Sequence, residues 1–359
     1  MRSQPLITCV IPTYRRPQVL RRAIWSVLDQ SFTDFKICVY DNASGDETSR
    51  MVEALAALDP RVHYHCHLEN IGFQENFIYG LSRAETPFVH LISDDDFLLP
   101  GFYLRAVEAL RAQTGAVFFS GGILSAQPDG QVQNFLRYGV EADQVCRPPG
   151  LFHLVARSSR TWTGALFRRD ALELLGGLKK EAGYSFDLEL ILRAAARFEA
   201  VLSDAPCAVF VMHPGSRTTA EASEAFESEL NLAYFKSVNQ AIEDALTQNA
   251  ISERDAGGMK QLIRHSTEWH LFRGALNLIA WRNLSAARRA SQILSEHFGR
   301  NGLAAVSRAA ARDTSFGAVL RSLLRCSKGL RGACRERKRG GEYSFYSAIV
   351  RERMLALGS

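Results

Sequence analysis

No run of apolar residues reaches the eighteen or so that a membrane-spanning helix needs, so any membrane contact must be peripheral. The opening residues, Met1-Arg2-Ser3-Gln4-Pro5, run straight into a strand-like segment and lack the apolar centre of a signal peptide. Seven cysteines, at 9, 38, 66, 146, 207, 326 and 334, are scattered without a CxxC pair. That dispersed, odd set fits reduced buried thiols in a cytoplasmic protein. There is no GxxxxGK[ST] loop and no GxGxxG after the first strand, so phosphate charge would be met by metal and side chains. No internal repeat is visible. The net charge of +5 is not spread evenly: residues 321–339 hold eight basic residues against one acid. The remainder is therefore near neutral or slightly acidic, and the charge describes one segment rather than a basic fold.

At 359 residues the chain is long enough for two domains and a sizeable core. Ile7 to Ile11 is an apolar run halted by Pro12 and predicts a buried strand. A helix follows, with Leu20, Ile24, Val27 and Leu28 on one face. Strands are expected at Lys36 to Tyr40, Val62 to Cys66, the run ending at Ile92, and Ala116 to Phe119. Helices carrying Met51, Val52, Leu55 and Leu58, then Phe73, Phe77 and Leu81, then Tyr103, Val107 and Leu110, fall between them. Alternation of this kind predicts an α/β fold: a mostly parallel, Rossmann-like sheet with helices on both faces. Residues 121–150 read as an irregular surface excursion, and order returns at Trp162 to Asp170 and Phe186 to Ala196. Beyond residue 220 the pattern is helical, which suggests domains at 1–220 and 221–359.

The densest chemical signal is Pro87-Phe88-Val89-His90-Leu91-Ile92-Ser93-Asp94-Asp95-Asp96, an apolar strand that ends in three carboxylates. Adjacent unneutralised charges repel, and a hard divalent cation relieves that repulsion while sharing its shell with substrate phosphates. An acidic turn closing a strand is the plainer reading. Ligands of parallel α/β sheets bind beyond the carboxyl ends of the strands. Three polar clusters sit at such ends: Thr13-Tyr14-Arg15-Arg16, Asp41-Asn42 and Asp94-Asp95-Asp96.

Ile11-Pro12-Thr13-Tyr14, Val39-Tyr40-Asp41-Asn42-Ala43-Ser44, Glu69-Asn70-Ile71-Gly72 with Asn76, and Asp94-Asp95-Asp96 followed by Pro100 are similar in order and spacing to family 2 glycosyltransferases. The likeness extends to Thr163-Gly164-Ala165-Leu166-Phe167-Arg168-Arg169 and to Phe186-Asp187-Leu188-Glu189-Leu190 with Arg193, and so covers roughly residues 5–217. It most resembles the bacterial branch that builds surface polysaccharide. The resemblance implies a GT-A fold and inverting transfer from a nucleotide-diphosphate sugar (UDP, dTDP or GDP) to a glycan or lipid-linked acceptor, with Mg²⁺ or Mn²⁺. It places Pro12, Thr13, Tyr14, Asp41, Asn42, Asn70, Gly72 and Asn76 around the nucleotide. Asp94, Asp95 and Asp96 match the acidic metal motif, and Asp187 matches the catalytic base. The chain departs from the family at Asn42, where an acid is common, and at Glu75, where Arg is common. Arg15, Arg16 or Arg217 would then meet the phosphates.

Asp187 precedes an apolar helix and also suits a first-turn acid. His213, in a loop with Arg217, suits the metal shell or the diphosphate, or simply solvent. Trp162, with Thr163 and Gly164, offers an aromatic wall for an acceptor sugar, or a buried anchor. Arg321, Arg325, Lys328, Arg331 and Arg335 interleave with Leu320, Leu323, Leu324 and Leu330 as a basic amphipathic helix. That pattern suits an anionic membrane surface, where a lipid-linked acceptor would be met, or a solvated helix face, ahead of nucleic acid. A metallophosphatase or nucleotidyltransferase using the same acids, and a non-catalytic glycan-assembly protein, are the competing functions.

Overall fold

The computed structural model describes residues 5–158, 161–213, 228–280, 283–302, 304–305 and 343–358. In chain order it contains β1 (Ile7–Thr13), α1 (Pro17–Leu28), β2 (Phe35–Asp41), α2 (Thr48–Leu58), β3 (Val62–Cys66), α3 (Phe73–Ser82), β4 (Phe88–Leu91), β5 (Phe97–Leu98) and α4 (Phe102–Ala112). Then come β6 (Ala116–Ala126), β7 (Val132–Leu136), β8 (Gln144–Cys146), α5 (Gly150–Ser158), β9 (Ala165–Arg168), α6 (Arg169–Leu174), α7 (Phe186–Arg197) and β10 (Glu199–Val211). Three long helices follow: α8 (Ser228–Thr247), α9 (Glu253–Ala280) and α10 (Leu284–Phe298). A last helix occupies residues 343–358.

The described strands form one sheet in the order β3-β2-β1-β4-β9-β6-β10-β5, with β7 added on β6 and β8 on β10. β3, β2, β1 and β4 are parallel neighbours, as expected. Beyond β4 the sheet is mixed, because β9 enters antiparallel to both β4 and β6. Side-chain alternation along β1 splits the core into two layers. Cys9 and Ile11 pack with α1, α2 and α4 on one face, while Val10 packs with α3, α5 and α7 on the other. Ile7, Ile11, Leu20 and Ile24 are fully buried, and each such side chain contributes roughly 1.5–3 kcal/mol.

Pro12 does not end β1: the strand continues to Thr13, paired with β2. On the other side β4 pairs only from Ile7 to Val10, so the missing Pro12 N–H leaves no ladder partner unsatisfied. The stretch 121–150 is more ordered than its composition suggests, since it holds most of β6 together with β7 and β8. Gly121 and Gly122 lie inside β6 because β10 passes too close for a side chain. A Cβ on Gly121 would sit 2.2 Å from Cys207 Sγ, and one on Gly122 would sit 2.9 Å from two carbonyl oxygens of β10.

The expected domain boundary near residue 220 falls outside the described residues. On either side of it the core is shared: Val238, Ile242, Met259 and Ile263 of α8 and α9 join the cluster that holds Phe167 and Leu190. The 343–358 helix returns to the sheet, where Val350 and Leu357 cover Phe97, Leu124, Phe135 and Val209. No described helix is long and apolar enough to cross a membrane.

Candidate active site

β1, β2 and β4 end together. Thr13 lies beside Asp41 in register, and Val10 lies beside Leu91, just before the acids. The loop leaving β1 turns at Arg15, whose φ of +55° is unusual for a residue with a side chain. Ser44 holds that conformation: its hydroxyl accepts from the Arg15 N–H at 2.8 Å, and its carbonyl accepts from Arg15 Nε at 3.0 Å.

The three acids do not act alike. Asp94 Oδ2 accepts the Thr13 hydroxyl at 2.7 Å, and its Oδ1 lies 3.4 Å from Arg16 Nη1. Asp95 Oδ2 accepts from the same Arg16 nitrogen at 2.9 Å and lies 3.0 Å from His213 Nε2. Arg22 Nη2 donates to the Asp95 carbonyl at 2.8 Å and pins the turn from α1. Asp96 points elsewhere, accepting the Thr163 hydroxyl at 2.6 Å and the Val211 N–H at 3.0 Å. All three carboxyls are buried. Burial, then the neighbouring Asp95 charge, pushes Asp94 and Asp96 above the usual carboxylate range, and Arg16 opposes this at Asp94.

Both oxygens of Asp96 accept hydrogen bonds from the fold, one from Thr163 and one from Val211. Asp94 and Asp95 both meet Arg16, and His213 meets Asp95. Among the described residues no group of three or more His, Cys, Asp and Glu side chains is placed to hold a metal ion. Mg²⁺ and Mn²⁺ do not require one, because they are commonly held by one or two carboxylates and complete their shell with water and phosphate. Asp94 and Asp95 fit that donor chemistry.

The residues expected around the nucleotide brace the loops more than they project from them. Asp41 Oδ1 accepts the Ser44 N–H at 3.0 Å and the Ser44 hydroxyl at 2.5 Å, while Oδ2 accepts the Tyr64 hydroxyl at 2.6 Å. Asn42 donates to Asn70 Oδ1 at 2.9 Å and accepts the Ile71 N–H at 2.8 Å. Gly72, at φ +88°, turns that loop into α3. Asn76 is buried, donating to the Tyr40 carbonyl at 2.8 Å and meeting His67 Nε2 at 2.9 Å. Pro12 and Thr13 are buried in β1, whereas Tyr14 is 38% exposed and Arg16 is partly so. Tyr14, Arg15, Asn70 and Gly72 are exposed in these loops.

Trp162 is not an acceptor wall. It is 2% exposed and packs between Phe77 and Phe186, with ring centroids 4.9 and 4.8 Å away. Thr163 and Gly164 are buried beside it. The Phe186 contact fixes the start of α7, where Asp187 is half-buried and accepts the Leu188 N–H at 2.7 Å. Burial pushes the Asp187 carboxyl up to about 6, against hydrogen bonds from Leu188 and from the Thr161 side chain. Arg217 and residues 321–339 lie outside the described residues.

Four supporting residues escaped the sequence reading. Ser44 could have been found, because Asp-x-x-Ser is a local turn signature. Arg22, Tyr64 and Thr161 carry no such signal, since their partners are distant in sequence.

Residues 8–176 match the model of Glycosyl transferase family 2. Over that stretch the chain carries a family 2 glycosyltransferase region. The family 2 region is 31% identical over 140 residues to a GalNAc(5)-diNAcBac-PP-undecaprenol beta-1,3-glucosyltransferase of Campylobacter jejuni, covering 39% of this chain and 45% of that protein. It is 26% identical over 133 residues to TuaG of Bacillus subtilis, named for teichuronic acid biosynthesis, covering 37% and 53%. The chain thus spans about half the length of these curated relatives. The fold is also that of S. aureus TarS 1-349, solved in complex with UDP-GlcNAc, at a TM-score of 0.56 and 14% identity, covering 85% of this chain and 90% of that one. The architecture is accordingly GT-A, with the helical region carried behind it.

Proposed function

We propose that this chain is a metal-dependent, inverting glycosyltransferase. It moves a hexosyl or deoxyhexosyl group from a nucleotide-diphosphate sugar to an acceptor hydroxyl in surface polysaccharide synthesis. One observation carries the reading: the ends of β1, β2 and β4 bring Asp94 and Asp95 together with Arg16 and His213 at one edge of the sheet. The substrate class follows from the similarity to a glucosyltransferase acting on an undecaprenol-linked glycan and to a teichuronic acid biosynthesis glycosyltransferase.

Mg²⁺ or Mn²⁺, held by Asp94 and Asp95, would supply Lewis-acid stabilisation to the departing diphosphate. Arg16 shares its charge with both acids and is placed to turn to the phosphates. Tyr14 and the braced loop of Asp41, Asn42 and Asn70 frame the nucleotide. Asp187 takes the acceptor proton as the acceptor oxygen bonds to the anomeric carbon and the bond to the diphosphate oxygen breaks. A positioned base of this kind contributes about 10²–10⁴ in rate. A lipid-linked acceptor would place the work at the inner face of the membrane, with residues 321–339 as a peripheral contact.

Thermal-shift measurements with UDP-, dTDP- and GDP-sugars, with and without Mn²⁺, test the reading, since a ligand that binds only the folded state raises its melting temperature. A shift is expected with one nucleotide class and only with metal. Absence of any shift with every sugar at millimolar metal would sink the proposal. So would release of phosphate or pyrophosphate without a glycoside.

A further inference from the structure

Arg22 and Ser26 of α1, and Gln30 just past its end, follow one another at intervals of four residues, which lines them up on one face of the helix. All three reach the same stretch of backbone, the one that leaves the acid run. Arg22 Nη2 donates to the Asp95 carbonyl at 2.8 Å. Ser26 Oγ accepts the Leu98 N–H at 3.0 Å and gives its own proton to the Ala23 carbonyl at 2.7 Å. Gln30 Nε2 donates to the Leu99 carbonyl at 2.9 Å, and its Oε1 accepts the Tyr103 N–H at 3.2 Å.

Ser26 and Gln30 are buried and satisfy buried backbone groups, as a folded chain must. Arg22 is different. Its Nε is buried with no hydrogen-bond partner, which costs stability. The guanidinium also lies over the Phe97 ring, 5.0 Å from its centroid, so one side chain touches the residues on both sides of Asp96. Phe97 in turn packs with Val350 and Leu357 of the 343–358 helix. A side chain selected for packing alone would not leave a buried donor unpaired. What Arg22 delivers is the position of the turn. Asp95 is the acid whose backbone it holds, and the carboxylate of that residue meets Arg16 at 2.9 Å and His213 at 3.0 Å.

We propose that Arg22 is a positioning residue that fixes the Asp95 carboxylate for a divalent cation by gripping the backbone of the acid turn from α1. This role rests on the reading of Asp95 as a ligand of Mg²⁺ or Mn²⁺. Arg22 acts through Asp95 and binds neither cation nor sugar. Groups that orient a metal-binding side chain commonly change metal affinity by about 10–100-fold when they are lost. A guanidinium acting only through its charge would have the opposite effect, because a nearby positive charge disfavours a cation.

The test uses the full chain as wild type, Arg22→Met, Arg22→Lys and Ser26→Ala. The dissociation constant for Mn²⁺ alone is measured from the electron paramagnetic resonance signal of free Mn²⁺, and the melting temperature is measured in EDTA. Arg22→Met is expected to bind Mn²⁺ about tenfold more weakly, or worse. Arg22→Lys recovers most of that loss, because an ammonium still donates to the Asp95 carbonyl and still lies over Phe97. Ser26→Ala leaves the buried Leu98 N–H unpaired, so it loses more melting temperature than Arg22→Met but less Mn²⁺ affinity. Unchanged or tighter Mn²⁺ binding in Arg22→Met would overturn the proposal, the tighter case marking Arg22 as a charge alone. Mn²⁺ affinity that merely follows melting temperature across the variants would overturn it too, and mark a structural residue. A wild type that takes up no Mn²⁺ instead defeats the reading of Asp95 as a ligand, and the role of Arg22 falls with it.

Discussion

The Thr13 hydroxyl donates to Asp94 Oδ2 across 2.7 Å, joining the end of β1 to the first acid after β4. The bond lies at the point where a parallel sheet opens its carboxyl ends to a ligand. It divides the acid run: Asp94 and Asp95 face Arg16, while Asp96 is turned to Thr163 and Val211.

That division predicts opposite behaviour at neighbouring positions. Asp96→Ala removes the acceptor of two buried donors, each of which costs about 1–3 kcal/mol when left unpaired. Urea denaturation should show that loss of stability. Asp95→Ala removes a buried like charge, so its stability should be preserved while the Mn²⁺-dependent thermal shift with nucleotide sugar disappears. A metal-dependent shift that survives in Asp95→Ala would contradict the assignment.

Arg16 is the local counter-charge to Asp94 and Asp95. Arg16→Ala should therefore melt at lower temperature in EDTA than the wild type. Added Mn²⁺ should recover more of the difference than it adds to the wild type, because a cation takes over the same neutralisation. Equal metal effects on the two proteins would count against a shared role.

Asp187 carries a pH signature. Its carboxyl is raised to about 6 by burial, with Leu188 and Thr161 opposing the shift; Tyr234 on α8 is the titratable side chain that feels its charge from a packed helix. The proposed base must be ionised to act, so kcat/KM should climb as pH rises through about 6 and then level. The stability effect has the other sign. The folded state holds this proton more tightly than the unfolded chain, so ionisation costs stability progressively from about pH 4 to about 6. Asp187→Asn should gain melting temperature over the wild type above that window and match it below. Glu189, two residues on, is paired with Arg193 at 2.6 Å in the same helix.

Close backbone approaches give a last prediction. A Cβ on Gly80 of α3 would lie 2.5 Å from Val10 Cγ1 and 2.9 Å from Tyr40 Cδ2. Gly80→Ala should cost about 1–3 kcal/mol, as overpacking of a tight core does, and the denaturation midpoint will report it. Gly72→Ala meets no neighbour but must hold φ at +88°, so its penalty should arise from the backbone.

The sequence by itself determined the parallel half of the sheet, because β1 to β4 and their helices are local patterns of apolar period and turn residues. It determined too which polar clusters would share a face, since strand ends of a parallel sheet have one direction. It did not reveal β10, a stretch the sequence patterns left unassigned; the strand shifts register on either side of Pro206, which lies opposite Gly122 of β6. Nor could it divide the labour among Asp94, Asp95 and Asp96. Three identical side chains in a row differ only in what they meet, and Thr13, Arg16, Thr163, Val211 and His213 come from segments brought there by the sheet. The same holds for Trp162, an apparent sugar platform whose ring faces Phe77 and Phe186. Residue type sets what a side chain is able to do, and packing from distant strands sets which of those things it does.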